Sequence, residues 1–209
     1  HLPEIKQEEE TVLRSADKPA QPSGITLAMT TGFLAIFCAV GAEVLAGDTI
    51  GNYGLYQGID LNTSKTLASY TLACMMVGYI AGILAIPRFI SQQKAFYWSS
   101  WIGLLLVVLI LVLPGKYSIV CVALLGLGNA MLWPAIWPQA LRGLTGAQLA
   151  RGSAVLIMGI AGGALLPLLY GWLTGVSGNQ LAYWILIPVY VFLIYYSFTG
   201  LKQPSPVRS

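Results

Sequence analysis

Past residue 24 the chain alternates long apolar runs with short polar breaks. Six runs stand out, near 25–56, 66–87, 95–113, 117–141, 152–175 and 181–200. A hydrocarbon layer about 30 Å thick is crossed by about 20 helical residues at about 1.5 Å rise each. Every run has roughly that length; the first is longer and either extends beyond the layer or breaks. Apolar residues fill both phases of a two-residue alternation, which is not the pattern of a lipid-facing barrel strand. Open strands would leave backbone groups unpaired in lipid. The pattern predicts an all-α membrane protein, a bundle of six transmembrane helices over residues 25–201. Residues 1–24 form a polar cytoplasmic loop or linker that cannot bury enough apolar surface to fold alone. A short amphipathic helix near 5–13 fits within it, and 202–209 read as a cytoplasmic tail.

Composition supports that class. The chain is 56% apolar and only 9% charged, with a mean hydropathy of +0.72. A soluble domain carries about 25% charged residues. The net charge of +3 is spread between apolar runs, without the basic stripe and interleaved aromatics of a nucleic-acid binder. The three cysteines, Cys38, Cys74 and Cys121, sit inside apolar runs without metal-ligand spacing, so they read as small apolar side chains. The chain opens at His1 with a polar, acidic segment that is no signal peptide, and a cut, cleaved or engineered chain is the expectation.

Charge also sets an expected orientation. One set of polar breaks, with the two ends, holds nine of the Lys and Arg residues, and the alternate set holds Lys65 and Lys116. The positive-inside rule then places both termini in the cytoplasm, which agrees with an even number of spans. The loops are short, so function is expected inside the bundle or with a partner.

Polar groups at membrane depth are costly, on the order of 3 kcal/mol for a central carboxylate. Glu43, in AVGAEVLAGDTIGNYG, falls near the middle of the first span. It reads as a substrate or proton site, or as an acid hydrogen-bonded within helix packing. Asp48 and Asn52 follow toward the outer end. The surrounding glycines suit either close helix packing or partial unwinding that exposes backbone to a solute. In the fourth span, GLGNAMLWPAIWPQALRGL, Asn129, Trp133 and Trp137 recur at i, i+4 and i+8, on one helix face. An amide can pair with sugar hydroxyls, and an indole face can pack on the C–H face of a pyranose. Helix packing or an aromatic belt is the alternative for the tryptophans. Pro134 and Pro138 should bend this span, and Gln139 is a further candidate lining residue. In the fifth span Gly159, Gly162 and Gly163 suit tight packing. Tyr70 and Tyr79 are possible cavity residues. No zinc motif, nucleophile elbow or phosphate loop is present, so neither an enzyme nor a cofactor is expected.

These residues together resemble a known family. GAE around Glu43, GYIAGILAIPRF with Gly78, Gly82 and Arg88, NAMLWPAIWPQALRGL and GSAVLIMGIAGGALLP occur in order after the acidic LPEI opening. The chain resembles the C-terminal half of a major facilitator superfamily sugar transporter, of the fucose / glucose–galactose:proton symporter group. The resemblance implies twelve helices in two six-helix bundles around a central sugar site with alternating access. It implies that Glu43, Asn129, Trp133 and Trp137 face that site; from their place in the spans, Asn52 and Gln139 are further substrate-binding candidates. The implied partners are a monosaccharide (a hexose, fucose or an N-acetylhexosamine), a proton, the N-terminal half or a second half-bundle, and a bacterial inner membrane. The resemblance places the usual coupling carboxylates mainly in the other half, so Glu43 is either a proton site or a sugar hydrogen-bonding group. Sodium coupling is the nearest variant. A six-helix interaction module with no transport cycle of its own is the reading from a different class.

Overall fold

The computed structural model describes residues 22–86 and 88–201, with side chains from 27 onward to 200. The lead segment, with the short helix expected near 5–13, and the tail 202–209 lie outside the described residues. The chain forms α1 (Pro22–Tyr56), α2 (Leu61–Ser64), α3 (Leu67–Ala85), α4 (Gln92–Val112), α5 (Lys116–Asn129), α6 (Leu132–Ala140), α7 (Gly146–Met158), α8 (Gly162–Ser177) and α9 (Leu186–Leu201). A 3-10 turn at Gly159–Ala161 joins α7 to α8, and another at Leu181–Ile185 leads into α9. Taken across these joints, six helical spans are long and apolar enough to cross a bilayer.

The spans start where caps put them rather than where hydropathy rises. Asp60 accepts a hydrogen bond from the Thr63 N–H at 2.9 Å and opens the second span at Leu61. Ser91 accepts from the Lys94 N–H at 3.3 Å and starts α4 at Gln92. Each satisfies a first-turn donor that would otherwise lack a partner. The fifth span begins at Gly146 and carries Arg151 within its first helix. The tight turns before α5 and after α8 use Gly115 and Gly178 at φ values of 55° and 82°, a region costly for a side chain.

Lipid tails are as apolar as leucine, so helices associate here by close packing and hydrogen bonds rather than by escape from water. Small residues make that approach possible. A Cβ at Gly162 would overlap the Phe37 carbonyl oxygen, and one at Gly126 would overlap the Thr71 carbonyl oxygen. These two backbone-to-backbone contacts join α8 to α1 and α5 to α3. α1 is an unbroken helix of 35 residues. Of the two roles open to its glycines, close packing is the one seen at Gly41, against Leu166, and at Gly54, against Leu67.

Hydrogen bonds tie one end of the bundle together. Tyr53 on α1 pairs with Ser118 on α5 at 2.6 Å, and Gln57 donates to the Tyr53 hydroxyl at 2.8 Å. Thr49 pairs with Tyr183 at 2.7 Å. The Gln180 amide donates to the Ile110 and Leu113 carbonyls, both at 2.8 Å, closing the C-terminal end of α4. By the charge pattern this is the end away from the Lys- and Arg-rich loops.

Candidate functional site

Glu43 lies sixteen residues after Leu27 and thirteen before Tyr56 in the first span. At 1.5 Å per residue that is about 24 Å and about 20 Å from the two ends. Its side chain is half-buried. Among the described residues no hydrogen bond or ion pair engages the carboxylate. A mid-depth carboxylate in this state has room for a proton or for a hydrogen-bond donor from a solute.

Asn129 ends α5 and is 1% exposed. Its Oδ1 accepts from the Tyr190 hydroxyl at 2.6 Å, while its Nδ2 has no partner among the described residues. Tyr190 is fully buried, and its ring fills the place where a Cβ on Gly103 of α4 would sit. Asn129 is therefore held from α9 through its Oδ1, and its Nδ2 is buried. Tyr190 was invisible as a site residue in the sequence, where it is one of several aromatics in the last apolar run.

The fourth span is not one helix. It breaks at Ala130 and Met131, between α5 and α6. Pro134 thereby falls in the first turn of α6, where a missing N–H leaves no intrahelical bond unmade. Trp133 and Trp137 remain together on α6, with ring centroids 5.6 Å apart and planes at 23°. Both are half-buried, so the pair can present indole surface outside its own stack. The break means that Asn129 and the tryptophans are set by two helix segments rather than by one continuous face.

The other two candidates each border a crevice. Gln139 is 7% exposed and turns toward α9, where its Nε2 donates to the Tyr196 carbonyl at 2.9 Å. With Thr31, Tyr195 and Thr199 it borders a crevice of about 280 Å³ between α1, α6 and α9. Asn52 is exposed and lines a separate crevice of about 260 Å³ with Asp48, Ser64 and Lys65. The structure thus bonds Asn129 to Tyr190 and pairs Trp133 with Trp137, while Gln139 and Asn52 border two different crevices. Tyr70 faces a third, apolar crevice with Cys74 and Ile119. Among the described residues no group of three or more His, Cys, Asp or Glu side chains is placed to hold a metal ion.

Outside the spans, the Thr63 N–H holds the exposed Asp60 carboxyl below its usual range, consistent with its cap on α2.

No family model matches the chain. Among curated proteins, it is 31% identical to a glucose/galactose transporter of Brucella abortus over 179 residues, which is 84% of this chain and 43% of that protein. It is 28% identical over 178 residues to a putative glucose/galactose transporter of Helicobacter pylori, covering 82% of this chain and 43% of the relative. It is 23% identical over 174 residues to the L-fucose-proton symporter of Escherichia coli, covering 82% of this chain and 39% of that protein. The chain therefore spans less than half the length of these relatives, which are named as transporters rather than enzymes. Among solved structures, it superimposes on a major facilitator superfamily transporter in the outward conformation with a TM-score of 0.76 at 19% identity, over 84% of this chain and 43% of that one. The crystal structure of the Escherichia coli fucose:proton symporter gives the same values. This is an integral membrane chain with the fold of one six-helix half of a major facilitator superfamily transporter, and its sequence relatives are named as sugar transporters.

Proposed function

We propose that this chain forms one wall of the pathway of a secondary transporter that takes up a monosaccharide together with a proton, by alternating access. The observation that carries the reading is Glu43, a half-buried carboxylate at mid-span that no hydrogen bond or ion pair engages among the described residues. A carboxylate there can bind a proton in one half of a cycle and a sugar hydroxyl in the other. Asn129, 1% exposed and bonded to Tyr190, is enclosed between α5 and α9 and reaches a solute only if the packing around it opens. The stacked Trp133 and Trp137 supply apolar ring surface for the C–H face of a hexose, fucose or N-acetylhexosamine. The facing wall is a second six-helix half, in keeping with the coverage of the relatives by less than half their length. The bacterial inner membrane, with both ends of this chain cytoplasmic, fits the nine-to-two distribution of Lys and Arg.

Uptake of labelled monosaccharides by proteoliposomes containing the full-length gene product tests this. An inward proton gradient should drive accumulation and an inward sodium gradient at equal pH should not. Sodium-driven accumulation would replace the proton in the proposal, and no uptake of any of these sugars under either gradient would remove the transport reading.

A further inference from the structure

In an α-helix the carbonyl of residue i accepts from the N–H of residue i+4. Pro134 and Pro138 remove two such donors from the fourth span. The loss at Pro134 coincides with the break at Ala130 and Met131. The loss at Pro138 falls inside α6, and the carbonyl it strips of its donor is that of Pro134. That carbonyl has a substitute. The side-chain amide of Gln92, in the first turn of α4, donates to the Pro134 oxygen at 2.5 Å. Gln92 is half-buried and comes 42 residues earlier in the chain. The bond therefore fixes α6 to the start of a different span. Pro134 follows Trp133 directly and lies three residues before Trp137, so the atom that Gln92 grips sits between the two stacked indoles along the chain.

We propose that Gln92 is a positioning residue: its amide replaces the backbone donor missing at Pro138 and so sets the bend of α6 and the stacking of Trp133 on Trp137. It acts through the Pro134 carbonyl and not by touching a solute. The consequence for transport rests on the reading of the tryptophans as sugar-facing; the replacement of one donor by another does not. Without Gln92 the Pro134 oxygen loses that donor, and α6 must straighten, tilt or admit water to replace it. Because Pro138 is exposed, alanine fits there and returns an N–H to the Pro134 carbonyl. In that background Gln92 becomes redundant.

The experiment is a cycle of Gln92→Leu and Pro138→Ala in the full-length gene product, with Gln92→Glu as a second variant that keeps the shape and removes the donor. The readout is the near-ultraviolet circular dichroism couplet of the stacked indoles, identified by its loss in Trp137→Phe. Gln92→Leu and Gln92→Glu should each lose most of the couplet, and adding Pro138→Ala should restore it. A couplet unchanged in both single variants overturns the proposal, as does an equal loss with and without Pro138→Ala. Should Gln92→Leu fail to fold, recovery of a folded, couplet-bearing protein by Pro138→Ala supports the proposal, and failure of that recovery overturns it. Sugar uptake is measured in parallel, with a rise in KM of about tenfold expected for either single variant. A couplet that follows the cycle while KM stays constant upholds the role of Gln92 and removes the tryptophans from the sugar site.

Discussion

Tyr190→Phe removes one oxygen atom from a fully buried ring and leaves its packing intact. The lost bond is the 2.6 Å contact that holds the Asn129 Oδ1. Since the Asn129 Nδ2 has no partner among the described residues either, the variant orphans an amide that is 1% exposed. A buried polar group left without a partner costs about 1–3 kcal/mol. Interhelical hydrogen bonds in membranes average lower, about 0.6 kcal/mol, because the unfolded chain also finds partners in the bilayer. The complete loss of partners here favours the upper part of the overlap, about 1–2 kcal/mol. For a chain of this size that is a fall in unfolding temperature of about 2–8 °C. Asn129→Leu added to Tyr190→Phe replaces both members with apolar groups and should recover most of the loss. Thermal unfolding in detergent, followed by tryptophan fluorescence, reads both values. A single variant as stable as the parent, or a double variant less stable than Tyr190→Phe alone, would refute the assignment of Asn129 to Tyr190.

Other positions give independent checks. Gly103→Ala would drive a methyl into the Tyr190 ring, and a ring with no free space cannot retreat, so a loss of about 1–3 kcal/mol is expected in the same unfolding assay. Gly162→Ala should be equally disruptive because its neighbour is the Phe37 backbone, whereas Gly171→Ala meets nothing within 4 Å and should stabilise α8 by about 0.5–1 kcal/mol. Asp60 should titrate, by carboxyl carbon NMR, with a midpoint below 3.8. Its folded value is depressed, so the cap contributes above the unfolded value and is lost only as pH falls through the folded one. A midpoint at or above 3.8 would contradict the bond to Thr63.

Much of the architecture could be read from the sequence because lipid leaves few alternatives. Backbone groups in hydrocarbon must bond within their own segment, so an apolar run of the right length is already a helix. What hydropathy misjudges are helix starts. The first turn after Asp60 and the first turn after Ser91 are polar, yet they are helical because a cap satisfies them. The prolines of the fourth span announced a distortion, and the break at Ala130 and Met131 is its form. The partners were beyond reach. Gln92 serves Pro134 across 42 residues and Tyr190 serves Asn129 across 61, and no local spacing encodes either pair. The same break puts Asn129 and the two tryptophans on successive helix segments. Gln139 illustrates the limit on its own: its polarity marked it, but only the packing of α9 shows that its amide bonds the Tyr196 carbonyl.

The central claim concerns Glu43. Proton-driven accumulation of labelled sugar should be measured in proteoliposomes containing the full-length gene product, parent against Glu43→Gln, beside sugar counterflow without a gradient. The glutamine has the shape of the acid but cannot exchange a proton. The account predicts that Glu43→Gln loses accumulation, with counterflow retained if the amide still bonds the sugar. Accumulation and counterflow both equal to the parent's would contradict it.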